Sequence, residues 1–437
     1  MSDVMLPGLR PASTGCLDEL ETAIGGERVW RDPARRKASS TDNAWLSPVL
    51  TMDLPDVIAD VVVVPRCLGD LKRVVAIAYE HDVALTVRGK GTGNYGQSVP
   101  LAAGIVVETF GMSRIVDVSP GWATAQAGVP FTRLEAAARA TGQELAIFPT
   151  TTTSMLGGFL SGGAGGVGTV EHGFIWDGFV GQVCVLPVWA EPELLTYTGD
   201  DAQAHLHTYG TTGILTEANV KLVPARTWTA LFASFASFGA AAAAAKDAMK
   251  RGIGLRDVAV DDPAIVARFP AHRGMPANLW SFRAVVEVDS VEVLKAIVRD
   301  HDGMVEIVDR DAISLLVSLS YNHVTLRMKR TDDSLCHLQV GGPKLVDRID
   351  HIRSLMPGAM VHLDGQRRNG EPGFGGLLIS RFTDRETLRR DIEALRKLGV
   401  MVVDPHTWRL GSHGSLDDLV ALARRHDPKG LLNPGKL

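Results

Sequence analysis

The chain has 437 residues, 45% hydrophobic and 22% charged, which is too long for one ordinary core and too apolar for disorder, so more than one globular domain is expected. A formal charge of −5 argues against a nucleic-acid partner held by phosphate contacts. Cys16, Cys67, Cys184 and Cys336 form no CxxC pair, the opening MSDVMLPGLRPASTG lacks the charged-then-apolar order of a secretory signal, and no apolar run reaches the roughly 18 residues of a membrane span; a reduced, cytoplasmic setting without a membrane partner is expected.

In chain order, CLDELETAIG (16–25) reads as a helix, followed by a polar loop with Arg31, Arg35, Arg36 and Lys37. VIADVVVVP (57–65) reads as a strand. Residues 67–81 read as a helix, because Leu68, Leu71, Val74, Val75 and Ala78 recur at three- and four-residue steps. VALTV (83–87) is a short buried strand, the loop RGKGTGNYGQS (88–98) follows directly, and LAAGIVVET (101–109) is again a strand. A dinucleotide fingerprint needs its glycines to open a helix, and a Walker loop needs GxxxxGK[ST] before one. Neither order is present. The loop is a strand–loop–strand anion cradle, in which glycine lets successive N–H groups converge on a phosphate, or a plain turn.

RIVDVSPGWATAQAGVP (114–130) predicts two strands around a Pro-Gly turn, FTRLEAAARATG (131–142) a helix stopped by Gly142, and ELAIFP (144–149) a strand. A second glycine-rich stretch, PTTTTSMLGGFLSGGAGGVGTVEHGF, spans 149–174. Glycines this dense predict neither a packed helix nor a strand. Yet Met155, Leu156, Phe159, Leu160 and Val167 are too apolar for a linker, so an ordered loop pressed against a flat or extended ligand is expected. Two such loops imply a long ligand with phosphates and an aromatic system.

Beyond a boundary near Pro224, strands at 227–235, 255–260, 279–288 and 304–309 alternate with an alanine-rich helix ending near Gly252 and a helix at 291–300. This predicts an antiparallel sheet backed by helices, with further helices at 342–355 and 384–399. YNHVTLRMKR (321–330) alternates like a strand, which puts Tyr321, His323, Thr325, Arg327 and Lys329 on one face. That face is either a cationic site for a carboxylate or an anionic reduced ring, or the solvated side of an edge strand. Gln366, Arg367 and Arg368 read as a solvated turn. A helix at 415–426 and DPKGLLNPGKL (427–437) close the chain.

Three segments, in order, resemble FAD-linked oxidases of the vanillyl-alcohol oxidase / p-cresol methylhydroxylase (PCMH) type: RGKGTGNYG (88–96); PTTTTSMLGGFLSGGAGGVG (149–168) with GQVCVLPV and YGTTGILTEANVKLVP (209–224); and the tail DPKGLLNPGKL. The resemblance implies an α+β fold. A two-part FAD-binding domain would occupy 1–225, a substrate (cap) domain on an antiparallel sheet backed by helices 226–403, and a C-terminal segment, 404–437, would return to the FAD domain. It implies that Arg88, Gly89, Lys90, Gly91, Thr92, Gly93 and Asn94 wrap the FAD pyrophosphate, with Gln97 and Ser98 on the flavin side. Pro149, Thr150, Ser154, Gly157, Gly158, Ser161 and Gly162 would follow the ribityl chain and ring, Ile214 would meet the adenine end, and Asn433 and Lys436 would return the tail to the cofactor. The implied activity is FAD-dependent removal of a hydride from an alcohol or amine carbon of a small-molecule substrate, as oxidase or dehydrogenase. The alternatives are a nicotinamide-dependent flavin reductase, for which no second nucleotide fingerprint is present, and a flavin-binding protein without a substrate, for which the large middle region is superfluous. No oligomeric state follows.

The chain departs from the family pattern. Lys90, Gly91 and Thr92 stand where many members attach FAD through a histidine, and the second loop has no cysteine, so non-covalent FAD is expected. Trp189-Ala190-Glu191-Pro192 replaces the usual polar turn after LPV. The paired histidines of the lactate-type metal motif are missing from VHLDGQRRNG (361–370), so no metal is expected and a 2-hydroxy acid substrate is disfavoured. Phe110 falls near a position where a small residue opens an oxygen path in some members, so its ring favours a dehydrogenase. Asp404-Pro405 in DPHTWRL (404–410) holds an extended turn at the return between domains. His406 is therefore expected to project into the site as a general base, with Arg409 holding an anionic group. Tyr321, His323 and Arg327 complete the catalytic candidates. His205 and His207 are expected to be structural rather than a metal pair, and His172 and Trp176 to pack in the core or line the ring.

Overall fold

The structure, a computed structural model, describes residues 8–410 and 416–437. The reading of the first seven residues as free of a signal, and the Ser415 start of the last helix, lie outside them.

The first sheet contains β1 (Val29–Trp30), β2 (Val61–Val63), β3 (Leu85–Arg88) and β4 (Ile105–Glu108) in the order β1-β2-β4-β3. β4 runs parallel to both neighbours. Helices Thr14–Ile24 and Leu68–Glu80 bury Leu20, Ile24, Leu71, Val74 and Ala78 against its valines, which explains the apolar runs without alternation. The first glycine loop leaves the carboxyl end of β3 and returns one strand over, at β4. The carboxyl ends of parallel strands are the side on which such sheets bind ligands.

The second sheet is antiparallel: β5 (Ile115–Ser119), β6 (Trp122–Gln126), β7 (Gln143–Leu145), β8 (Val180–Leu186), β9 (Leu195–Thr198) and β10 (Ile214–Pro224), ordered β5-β6-β10-β8-β9 with β7 also on β10. Here the second glycine stretch differs from expectation, because Leu156–Gly162 is an α-helix. Each glycine costs a helix about 1 kcal/mol relative to alanine. Leu156, Phe159 and Leu160, spaced i, i+3, i+4, are all buried in the core beneath β10, and each is worth about 1.5–3 kcal/mol. Burial wins. Gly157 is the cost of that packing: a Cβ there meets the Ala127 Cβ at 2.6 Å.

The third sheet has eight antiparallel strands: β11 (Trp228–Phe235), β12 (Leu255–Asp261), β13 (Trp280–Glu287), β14 (Met304–Asp309), β15 (Leu335–Gly341), β16 (Met360–Arg368), β17 (Glu371–Arg381) and β18 (Met401–Val403), in the order β14-β11-β13-β12-β16-β17-β15-β18. This is the antiparallel sheet backed by helices that the sequence predicts. Helices Phe238–Lys250, Val291–Asp300, Ile349–Leu355 and Arg385–Lys397 close one face over Val258, Val260, Phe282, Leu338, Val361 and Leu363. The alternate residues lie on the opposite face. Many of them are buried and polar: Asp257, Asp261, Arg283, His337, His362 and Asp364.

YNHVTLRMKR is not a strand. His323–Lys329 is a helix that buries Val324 and Met328, four residues apart. Tyr321, His323, Thr325, Arg327 and Lys329 therefore do not share a face. Lys329 turns inward and donates to the carbonyls of Asp333 at 2.6 Å and Leu335 at 2.7 Å.

The tail returns to the first sheet as a short parallel bridge at Leu85–Leu432. Asn433 Oδ1 accepts from Val87 N at 3.2 Å, and its Nδ2 donates to the carbonyls of Tyr209 at 2.8 Å and Gly210 at 3.0 Å. One side chain thus ties both FAD-domain sheets together.

Candidate cofactor and active site

A cavity of about 710 Å³ lies between the two FAD-domain sheets and the polar face of the third sheet, within the roughly 300–1,000 Å³ of small-molecule and cofactor sites. Its first wall is the loop after β3, where Arg88, Gly89, Lys90, Gly91, Thr92, Gly93, Asn94, Gln97 and Ser98 all line it. Among the described residues the N–H groups of Gly91, Thr92 and Gly93 meet no backbone acceptor, which suits an anion. The positive φ values fall at Gly91 (66°) and Gly96 (74°), not at Gly93 or Gly158. Arg88 reaches the cavity, but its guanidinium is committed elsewhere, to the carbonyls of Ser39 and Thr41 and to Glu108.

The second wall contains Pro149, Thr150, Ser154, Gly157, Gly158, Ser161 and Gly162. The two walls touch: Thr92 and Ser154 hydroxyls lie 2.8 Å apart, and Gln97 Nε2 donates to Gly162 O at 3.4 Å. A Cβ placed on Gly158 meets nothing nearer than Gly89 N at 3.9 Å. The two bare backbones therefore lie so near that a Cβ at 158 would touch Gly89, and a larger side chain there would close the gap between the walls. Ile214 lines the far end, and Phe174 and Trp176, stacked at 5.1 Å, form an aromatic edge. These features fit a long ligand with phosphates and a ring system.

Residues 59–188 match the FAD binding domain family. Over these residues the chain carries an FAD-binding domain, and the relatives it resembles are FAD-linked oxidoreductases. The chain is 24% identical over 425 residues to glycolate oxidase subunit GlcD of Bacillus subtilis, covering 86% of this chain and 88% of that one. An FAD-linked oxidoreductase of Mycobacterium tuberculosis is 29% identical, with 43% of each chain covered, less than half of that relative. D-lactate dehydrogenase of Archaeoglobus fulgidus is 29% identical over 38% of this chain and 39% of its own. Alkyldihydroxyacetonephosphate synthase shares the fold, with a TM-score of 0.76, 17% identity, and coverage of 98% of this chain and 87% of that one. The α+β architecture and the FAD cofactor are those of the family.

Other expected residues are placed differently. Asn433 and Lys436 stand behind the cavity rather than along it. Lys436 Nζ is buried and donates to the carbonyls of Gly96 and, at 2.9 Å, Val99, so it pins the first loop from below. Burial depresses its pKa to about 7, against the pull of Asp42. His406 does not face the cavity. Its Nδ1 lies 2.7 Å from Ser47 Oγ, which also caps helix Pro48–Asp53, and burial lowers its pKa. The neighbouring Arg409 does line the cavity. Tyr321 and His323 also line it; the Tyr321 hydroxyl is spent on Gly166 O at 2.6 Å, and burial lowers the His323 pKa. Arg327 is outside, donating to Ser318 Oγ at 3.0 Å. Phe110 is outside too, 38% exposed and 5.9 Å from the Trp30 ring, so it cannot gate oxygen at this cavity.

The third wall was missed in the sequence. Asp364, Gln366 and Arg368 of β16 and Gln339 of β15 line the cavity. The stretch 366–368 is strand, not solvated turn, and Arg368 sits 4.8 Å over the Phe174 ring. The signal was the alternation His362, Asp364, Gln366, Arg368 in VHLDGQRR. Tyr95, from the first loop, bridges to this wall: its hydroxyl oxygen accepts from Asn322 Nδ2 at 2.8 Å and from Gln339 Nε2. Burial pushes its pKa up to about 12, with Asn322 opposing. His207 lines the cavity, its Nδ1 2.9 Å from Gly163 O, and His205 lies behind it, 3.1 Å from Thr212 Oγ1. Among the described residues no group of three or more His, Cys, Asp or Glu is placed to hold a metal ion, and no helix is long and apolar enough to cross a membrane.

Proposed function

We propose that the protein uses FAD, held without a covalent bond, to oxidise a C–OH carbon of a small 2-hydroxy acid. The observation that carries this reading is the third wall: a polar row, buried at Asp364, half-buried at Gln366 and exposed at Arg368, stands across one cavity from the two glycine-rich walls. A pure carrier has no need of such a row. Two relatives are named for glycolate and D-lactate, and Arg368, Arg396 and Arg409 at the cavity are suited to a carboxylate. The residues that would hold the cofactor are the backbone of 89–94, Gln97, Ser98, and the strip 150–162. When bound, FAD supplies the two-electron acceptor, and the chain's task is to orient the substrate, exclude water and take its proton. His and Cys are absent from both glycine-rich walls at the positions where members of the family attach the flavin, which supports a dissociable cofactor.

The test is anaerobic bleaching of the purified yellow protein by D-lactate, L-lactate, glycolate, simple primary alcohols and amines, and by NADH and NADPH. A hydroxy acid should bleach the flavin fastest. Bleaching by the nicotinamides alone would replace this reading with a flavin reductase.

A further inference from the structure

The polar face of the third sheet holds a line of buried charge that leads from its interior to the cavity. Arg283 is fully buried on β13; its Nε donates to Asp261 Oδ2 at 2.8 Å, and its other nitrogens donate to the carbonyls of Leu316 at 3.1 Å and Leu319 at 2.8 Å. Asp261 Oδ1 lies 2.8 Å from His362 Nδ1. His362 Nε2 stands 3.0 Å from Asp364 Oδ1. The strand register produces this line: β12 and β16 are antiparallel with Asp261 opposite His362 and Ala259 opposite Asp364.

Such groups are expensive to bury, several kcal/mol per ion before pairing, and a sheet core of the same shape could be built from apolar residues. The line has a direction. Tyr321 N donates to Asp364 Oδ1 at 3.2 Å, the same oxygen that His362 Nε2 approaches as an ion pair without an aligned hydrogen bond, so among the described residues both contacts fall on one oxygen. Asp364 lines the cavity, and Oδ2 is left for whatever occupies it.

We propose that Asp364 is the proton acceptor of this cavity, and that His362, Asp261 and Arg283 are the positioning residues that aim it. This rests on the oxidoreductase reading above. In the step, the substrate O–H bond breaks and its proton goes to Asp364 Oδ2. The electron pair of the adjacent C–H bond leaves with its hydrogen as hydride to the oxidised flavin, and a C=O double bond forms. His362 is held as an imidazolium between two carboxylates. Burial opposes this, and Asp364 and Asp261 outweigh it, raising its pKa to about 9. The other titratable or charged groups facing it are Arg283 on β13, Asp257 on β12 (pushed up to about 7 by burial and by Asp364), His337 on β15, and Tyr321.

Two readouts test it. The first needs no substrate: ring-¹³C histidine NMR of the holoprotein, with His362 assigned by His362→Gln. The wild-type His362 signal should titrate well above the ordinary range, and Asp364→Asn should bring it down by a unit or more. The second is stopped-flow flavin reduction by whichever hydroxy acid of the panel bleaches the wild type. Asp364→Asn should keep FAD, with a melting temperature lowered by a few degrees as the His362 pair is lost, but slow reduction about 10²-fold or more. Asp364→Glu should recover part of the rate, and Asp261→Asn should show a smaller loss with an altered pH profile. An ordinary titration of His362, or wild-type reduction in Asp364→Asn, overturns the proposal. If no hydroxy acid bleaches the flavin, the substrate reading fails, and the NMR titration alone decides the charge line.

Discussion

The hydroxyl oxygens of Thr92 and Ser154 lie 2.8 Å apart, joining two glycine-rich segments that are 62 residues apart in the chain. The contact holds the two walls of the cofactor cradle at a fixed spacing. Gly158 stands beside Gly89 there, a Cβ at 158 lying 3.9 Å from Gly89 N.

Gly158→Val should therefore separate binding from folding. Its backbone is not in the positive-φ region, and its Cβ has room in the empty protein. The variant should fold with a melting temperature near that of the flavin-free wild type and retain less than about a tenth of its FAD, given that side-chain atoms would occupy ligand space. Absorbance of the purified variant, compared with its circular dichroism, checks this.

Asn433→Ala removes three hydrogen bonds from a side chain that joins β3 to the 209–210 turn. Leaving these buried backbone groups unpaired should cost about 2–4 kcal/mol in a urea titration. It should also weaken FAD, because both glycine-rich walls hang on the sheets that Asn433 ties together.

His406→Ala is expected to act on stability rather than on chemistry. The ring is buried against Ser47 and turned from the cavity. The variant should lose about 1–3 kcal/mol while reducing its flavin at close to the wild-type rate. Arg409→Ala, at the cavity, should show the reverse: little change in stability and a raised KM for a carboxylate substrate. Stopped-flow reduction beside thermal melts separates the two.

His362 makes stability depend on pH in a defined window. Its folded pKa, about 9, lies above the ordinary 6.5. The folded state binds the proton more tightly, so the contribution is fully present below pH 6.5 and is lost as pH rises through 9. The stability gap between wild type and His362→Gln should shrink across that window by on the order of 3 kcal/mol. Urea midpoints at pH 6 and pH 9.5 measure it.

The FAD side of this protein was legible because its signals are local. VALTV, then RGKGTGNYG, then IVVET places a glycine loop between two strands, and the tail motif keeps the family's spacing. The failures have a common physical cause. Leu156, Phe159 and Leu160 override the glycine content of their segment, and Val324 with Met328 override the polar alternation of YNHVTLRMKR; in both, tertiary burial decides the period. The polar alternation in VHLDGQRR was real, but it gains meaning only once β12, β13 and β16 are neighbours, which brings Asp261 and His362, 101 residues apart, together with Arg283. His406 was expected to project into the site, but its ring is held by Ser47, 359 residues away, a partner that no local pattern shows.

The central claim is that the cradle between the two glycine-rich walls takes one FAD without a covalent bond. Acid precipitation of the purified wild type, with flavin quantified in supernatant and pellet, tests it most directly. One FAD per chain, all of it in the supernatant, is the expected result. Flavin retained in the washed pellet, or a colourless protein that takes up no added FAD, would contradict it.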